Sequence, residues 1–155
     1  MSKIRRIDHV AIAVENLDDA SDVLISKFGA KFLRQIDNEK EKYTVSYFQL
    51  GENIFTLLQP TSEDSFIAEH IRQRGQGLHH LGLEVDGLEE FVAELEAKGV
   101  KVPLKELEGT ERKEVVISPR NVFGVVLQLV EWLDGSDASL ENRMDRVVHY
   151  RRSQT

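Results

Sequence analysis

Two segments of the chain, 71 positions apart, alternate between aliphatic residues and small or polar ones. In residues 6–15, Val10, Ile12 and Val14 hold one parity while His9, Ala11 and Ala13 hold the other. In residues 77–86 the aliphatic parity is Leu81, Leu83 and Val85, and the other carries His80, Gly82 and Glu84. A period of two is that of a strand, and the aliphatic side is the one expected to pack on helices. Both histidines therefore face away from that layer, on a side otherwise kept small, where a ligand or metal could sit.

The flanking pattern repeats as well. Asn16 or Asp18 caps a helix predicted over residues 17–28, with Ala20, Val23, Leu24 and Phe28 at helical spacing and Gly29 as its stop. Strands are predicted at 31–35, 43–50 and 54–59, separated by a charged turn over 37–42 and a tight turn over 51–53, with Pro60 at the end. The second copy has a strand at 80–85 and a helix over 88–98 that uses Leu88, Phe91, Val92 and Leu95. Gly99 stops that helix, and strands follow at 100–104, 114–118 and 125–132, with a turn at Pro119-Arg120-Asn121.

Residues 8–59 thus map on 79–131 with an offset of 71 or 72. Such recurrence predicts an α+β fold of tandem βαβββ modules forming one domain over 4–132, with module 1 about 4–60 and module 2 about 77–132. Between them, Ser62-Glu63-Asp64-Ser65 caps a connecting helix within 62–76 that runs through Phe66, Ile67, His70 and Ile71. Residues 133–155 form a tail: a polar linker over 134–139, then an amphipathic helix over 140–150 carried by Leu140, Met144, Val147 and Val148. Packing on a neighbour and fraying are both open for it.

Composition narrows the function classes. The net charge of -7 argues against a general nucleic-acid binder, which needs a basic surface. The absence of cysteine excludes a disulfide framework, a thiolate metal site and a thiol nucleophile. Hydrophobic and charged fractions of 41% and 30% are ordinary for a globular chain. The N-terminus enters a strand pattern without a signal-peptide apolar region, and no stretch of ~18 apolar residues exists to span a membrane. A cytoplasmic protein is the expectation.

Several runs carry a family likeness. Ile7-Asp8-His9-Val10-Ala11, Phe55-Thr56-Leu57-Leu58-Gln59-Pro60 with the following Ser62-Glu63-Asp64-Ser65-Phe66-Ile67-Ala68, and Gly77-Leu78-His79-His80 are three of them. Ser118-Pro119-Arg120-Asn121 with Gly124-Val125-Val126-Leu127 completes the set. Over about residues 4–132 the chain resembles the vicinal oxygen chelate superfamily, which includes glyoxalase I, methylmalonyl-CoA epimerase, extradiol dioxygenases and bleomycin-resistance proteins. It looks most like the methylmalonyl-CoA epimerase branch.

The resemblance implies a cleft closed by the two modules around a divalent metal ion (Co, Zn, Ni, Mn or Mg), with His9, Thr56, His80 and Gln128 at the ligand positions. It also implies a small-molecule partner such as an acyl-CoA thioester, and a homodimer. The sequence departs from the family at two of those positions, where Glu or Gln is usual at 56 and Glu at 128. Without a carboxylate the set holds a divalent ion more weakly, with water completing the shell, and Gln128→Glu is expected to tighten it. The missing carboxylate also argues against a 2-His-1-carboxylate iron oxygenase.

An isomerase of this kind removes a proton beside a thioester carbonyl while the metal stabilises the enolate. With Gln128 neutral, the base falls to Glu39 or Glu41, where the epimerase branch places an acidic residue, or to Glu84 on the His80 parity. A solvated charge run is the bland alternative for Glu39 and Glu41. Tyr47 and Gln49 are read as lining the cleft; Arg120 is read either as an exposed turn arginine or as the partner of a ligand phosphate or carboxylate. His79 is expected to be structural, and His70 and His149 solvated. Two other functions compete: a glyoxalase-type lyase, weakened by the missing Glu at 128, and a non-catalytic binding protein of the bleomycin-resistance kind, favoured by the loss of both carboxylates.

Overall fold

The structure, a computed structural model, describes residues 2–135 and 138–151, with only the backbone at Asn121. Residues 136–137 of the predicted linker and 152–155 of the tail lie outside the described residues. Among the described residues, eight strands and four α-helices divide between two compact units, one within 9–79 and the other within 2–8 and 80–151.

The first unit takes the second half of β1 (Lys3–Ala13), then α1 (Leu17–Phe28), β2 (Lys31–Asn38), β3 (Tyr43–Leu50), β4 (Asn53–Pro60) and α2 (Phe66–Arg74). Its strand order is β2-β3-β4-β1, antiparallel except for the β4–β1 pair. Asn16, not Asp18, starts α1: its side chain accepts the Asp19 N–H at 2.9 Å. Gly29 ends it at φ 71°, sending its N–H to the Ile25 carbonyl at 3.2 Å. A Cβ there meets nothing within 4 Å, so only backbone strain opposes it. Gly29→Ala should lower the unfolding free energy by about 1–2 kcal/mol, read from a urea midpoint.

On one face of this sheet Val14, Leu17, Phe48 and Leu57 form a core with α1. On the other, Ala11 and Ala13 pack with Val45, Leu58 and Ile67 of α2. The small residues Ala11 and Ala13 of the histidine parity thus admit α2 against the sheet.

The second unit takes β5 (Gly77–Asp86) from His80 on, α3 (Leu88–Ala97), β6 (Leu104–Glu106), β7 (Arg112–Ile117), a 3-10 turn over Pro119–Asn121, β8 (Val126–Trp132) and α4 (Leu140–His149). Order and sense repeat those of the first unit: β5-β8-β7-β6, parallel only between β5 and β8. Val85, Leu88, Val92, Val115, Ile117 and Leu129 make the α3-side core. The strand predicted at 100–104 forms later and shorter. Val100 and Val102 pack into this core instead of pairing, and Pro103 has no N–H to give a ladder.

Even the helix starts are duplicated. Gln59, at the end of β4, accepts the Leu17 N–H at 2.6 Å. Its counterpart Glu131, in β8, accepts the Gly87 and Leu88 N–H groups at 2.8 and 3.4 Å. A carboxylate replaces the cap that Gly87 lacks and sits favourably at a helix N-terminus.

Within the tail, α4 packs on its own unit with Met144 and Val147 buried. It is the counterpart of α2. Each follows the last strand of its module and is capped by a serine, Ser65 accepting the Ile67 N–H and Ser139 the Asn142 N–H. The repeat is therefore βαβββα.

Candidate functional site

In the first unit the register sets Ala11 opposite Thr56 and Thr56 opposite Tyr47. His9, two residues before Ala11, shares their face. His9 and Thr56 are both buried, and the Thr56 hydroxyl donates to the Val10 carbonyl at 3.4 Å, leaving its oxygen lone pairs as acceptors. Tyr47 is half-buried on the same face, while the Gln49 amide donates to Gly51 at 3.1 Å and closes its own hairpin. Glu39 and Glu41 stand exposed in the turn between β2 and β3. The Glu41 backbone is pinned at both ends, its N–H to Asn38 Oδ1 at 2.9 Å and its carbonyl to Ser65 Oγ at 3.5 Å.

In the second unit Gly82 lies opposite Gln128, which lies opposite Val116, so His80, Gly82 and Gln128 share one face. The Gln128 amide donates through Nε2 to Glu114 Oε2. That same carboxylate oxygen takes Arg112 at 3.1 Å, and the Arg112 guanidinium lies 5.1 Å from the Trp132 ring centroid and 4.4 Å from that of Tyr150. Further along the face Glu84, 1% exposed, is gripped by Arg6 and Arg146. Asp8 accepts the Trp132 indole N–H at 2.7 Å, with Arg146 3.9 Å away.

This arrangement speaks against the reading of Glu84 as the base. It is enclosed, and both its oxygens are held by guanidinium groups. Its counterpart in the first repeat is Ala13, so the carboxylate belongs to the docking of α4. Arg120 is exposed in its 3-10 turn, its backbone N–H on Ser118 Oγ at 3.3 Å.

Four residues of this site went unread in the sequence: Asp8, Arg112, Glu114 and Arg146. A signal existed for one of them. Glu114 opens an otherwise apolar strand, Glu114-Val115-Val116-Ile117. Sequence alone offers no partner for it.

His79 and His70 are neighbours rather than strangers. Their rings lie 4.8 Å apart edge-on, with Phe66 5.6 Å from His79, so His70 is half-buried and not solvated as expected. Burial, then His70 and Arg74, push the His79 imidazole down to about 4 from 6.5. Protonation is thus disfavoured in the folded chain. Stability should be unaffected above pH 6.5 and should fall as pH drops from there towards 4, because the unfolded chain binds the extra proton. A pH series of urea midpoints in which His79→Gln flattens this limb is the expected result. An unchanged slope in that variant would contradict it.

A divalent ion would have neutral donors here. Among the described residues no group of three or more His, Cys, Asp or Glu side chains could hold a metal ion. Each unit instead offers an imidazole and a neutral oxygen on one sheet face, His9 with Thr56 and His80 with Gln128. These suit a borderline divalent ion of modest affinity, and Glu114 behind Gln128 adds negative charge at one remove.

The chain belongs to the Glyoxalase/Bleomycin resistance protein/Dioxygenase superfamily, which its sequence matches over residues 8–115. Within it, the relatives include methylmalonyl-CoA epimerases. The chain is 30% identical over 127 residues to the mitochondrial methylmalonyl-CoA epimerase of Homo sapiens, covering 80% of this chain and 72% of that one. It is 32% identical over 130 residues to the uncharacterized protein YqjC of Bacillus subtilis (strain 168), covering 83% and 93%. Among solved structures, methylmalonyl-CoA epimerase from Mycobacterium tuberculosis aligns with a TM-score of 0.74 at 26% identity, over 83% of this chain and 88% of that one. The resemblance and the α+β vicinal oxygen chelate fold read from the sequence are borne out. Among the described residues no helix is long and apolar enough to cross a membrane.

Proposed function

We propose that the chain is a methylmalonyl-CoA epimerase-like isomerase. It would move a proton to and from the carbon between a thioester carbonyl and a carboxylate. The supporting observation is the placement of an imidazole and a neutral oxygen donor at equivalent register in both repeats, in a chain whose relatives include epimerases of this name. A bound divalent ion would supply positive charge to the carbonyl oxygen as the α-proton leaves.

The chain's own residues take the other tasks. His9 and His80 act as the imidazole donors, with Thr56 and Gln128 as the oxygen donors. Proton transfer is assigned to the Glu39–Glu41 turn, and to Glu41 first, because its backbone is fixed at both ends. Tyr47, half-buried beside Thr56, orients the substrate, and Arg120 meets an anionic group of the acyl-CoA. Gln49, its amide committed to Gly51, is left with no polar role in this proposal. Homodimer formation belongs to the same family-based proposal.

The test is conversion of one pure C2 epimer of methylmalonyl-CoA to the equilibrium mixture, with each of Co(II), Zn(II), Ni(II), Mn(II) and Mg(II). Conversion that falls by about 10²–10⁴-fold in Glu41→Gln supports the assignment of the base. No conversion with any of these ions would overturn the enzyme reading. A non-catalytic binding protein, consistent with a carboxylate-free donor set, would then stand.

A further inference from the structure

We propose that Glu114 is the positioning residue that aims the Gln128 amide oxygen at the metal; this rests on the metal reading above. A carboxylate only accepts hydrogen bonds, so the edge of the Gln128 amide that meets it must be the Nε2 edge. The amide plane is thereby fixed, and Oε1 is turned away from Glu114 on the face that carries His80 and Gly82. An amide without such a partner is free to present either end. Half of its orientations would then offer N–H donors to a cation, which a cation rejects.

Glu114 is itself held in place. It is 4% exposed on the middle strand β7 and takes Arg112 at 3.1 Å, and Arg112 lies against both the Trp132 and Tyr150 rings. Tyr150 directly follows α4, and the Arg146 guanidinium of that helix lies 4.6 Å from the other partner ring, Trp132. A chain of contacts therefore runs from the C-terminal helix through Trp132, Arg112 and Glu114 to Gln128.

The pair also changes what Gln128→Glu alone would do. Two carboxylates would then face each other on neighbouring strands, and the expected gain in metal affinity would be blunted by their repulsion. Exchanging both residues, Glu114→Gln with Gln128→Glu, keeps an amide–carboxylate contact and places the charge on the ligand position.

Calorimetric titration of Co(II) into the full chain tests this, with the Co(II) absorption spectrum as a second readout. Glu114→Gln should weaken Co(II) binding about 10–100-fold and alter the spectrum. It should add nothing in a Gln128→Ala background, as expected when one residue acts through the other. The exchanged pair, which keeps the contact should Glu114→Gln fold poorly, should bind at least as tightly as the parent chain. Unchanged affinity in Glu114→Gln while Gln128→Ala weakens binding would overturn the positioning role and leave the metal reading intact. No Co(II) binding by the parent chain would overturn both.

Discussion

Arg146→Met is expected to lower the unfolding free energy by about 3–5 kcal/mol, the cost of leaving buried charge without its counterion. For a chain of this size that is roughly 6–20 °C in Tm. The Arg146 side chain is 9% exposed and serves Glu84, Asp8 and Asp134 at once, with its guanidinium 4.6 Å from the Trp132 centroid. Methionine replaces the stem and its packing but not the charge, so the loss reports the electrostatic part. Arg6 still reaches Glu84, and the indole N–H still reaches Asp8, which holds the cost towards the lower end of that range. Glu84→Gln added to Arg146→Met should recover part of the loss, because a neutral amide costs less to bury than a carboxylate. A change below about 1 kcal/mol in the single variant would mean that this pair behaves as an exposed salt bridge, and that α4 is held by Met144 and Val147 alone.

The second large effect is chemical. His80→Ala should leave the melting behaviour nearly unchanged, because His80 is half-buried and lies outside the hydrophobic clusters of its unit. Proton exchange at the substrate carbon should nevertheless fall by about 10²–10³-fold, the rate equivalent of losing several kcal/mol of charge stabilisation. Metal affinity should fall in parallel. His9→Ala should lower exchange and metal affinity likewise, since the duplicated histidines share one role in this proposal. A variant with parent-like metal affinity and exchange would remove its histidine from the site.

Much of this was legible in the sequence because the fold is written twice. The span of α1, its glycine stop, the hairpin of β3 and β4 and the parity of His9 and His80 follow from period and punctuation alone. The strand around residue 102 was misplaced because Val100 and Val102 look like a ladder segment but spend their side chains in the α3 core. The larger miss was not the C-terminal helix, read over 140–150 and formed over Leu140–His149, but the charges that hold it. Its apolar stripe is short, and its best-buried charge, Arg146, has partners 62 and 138 positions earlier in the chain, at Glu84 and Asp8. Periodicity carries no information about such pairings. For the same reason Glu84 read as a possible base, being on the right parity but facing cations that the sequence does not reveal. Glu114 and Gln128 were separable as a strand charge and a neutral ligand, and only the register of β7 on β8 makes them one pair.

The most direct measurement is proton exchange followed by NMR in deuterated water, with methylmalonyl-CoA and, separately, the thiohemiacetal of methylglyoxal and glutathione. With the metal-loaded chain, deuterium entering the α-carbon of the acyl-CoA at a catalysed rate, with the thiohemiacetal unchanged, is the expected result. Exchange or conversion of the thiohemiacetal alone, or exchange of neither in the presence of every divalent ion tried, would contradict it.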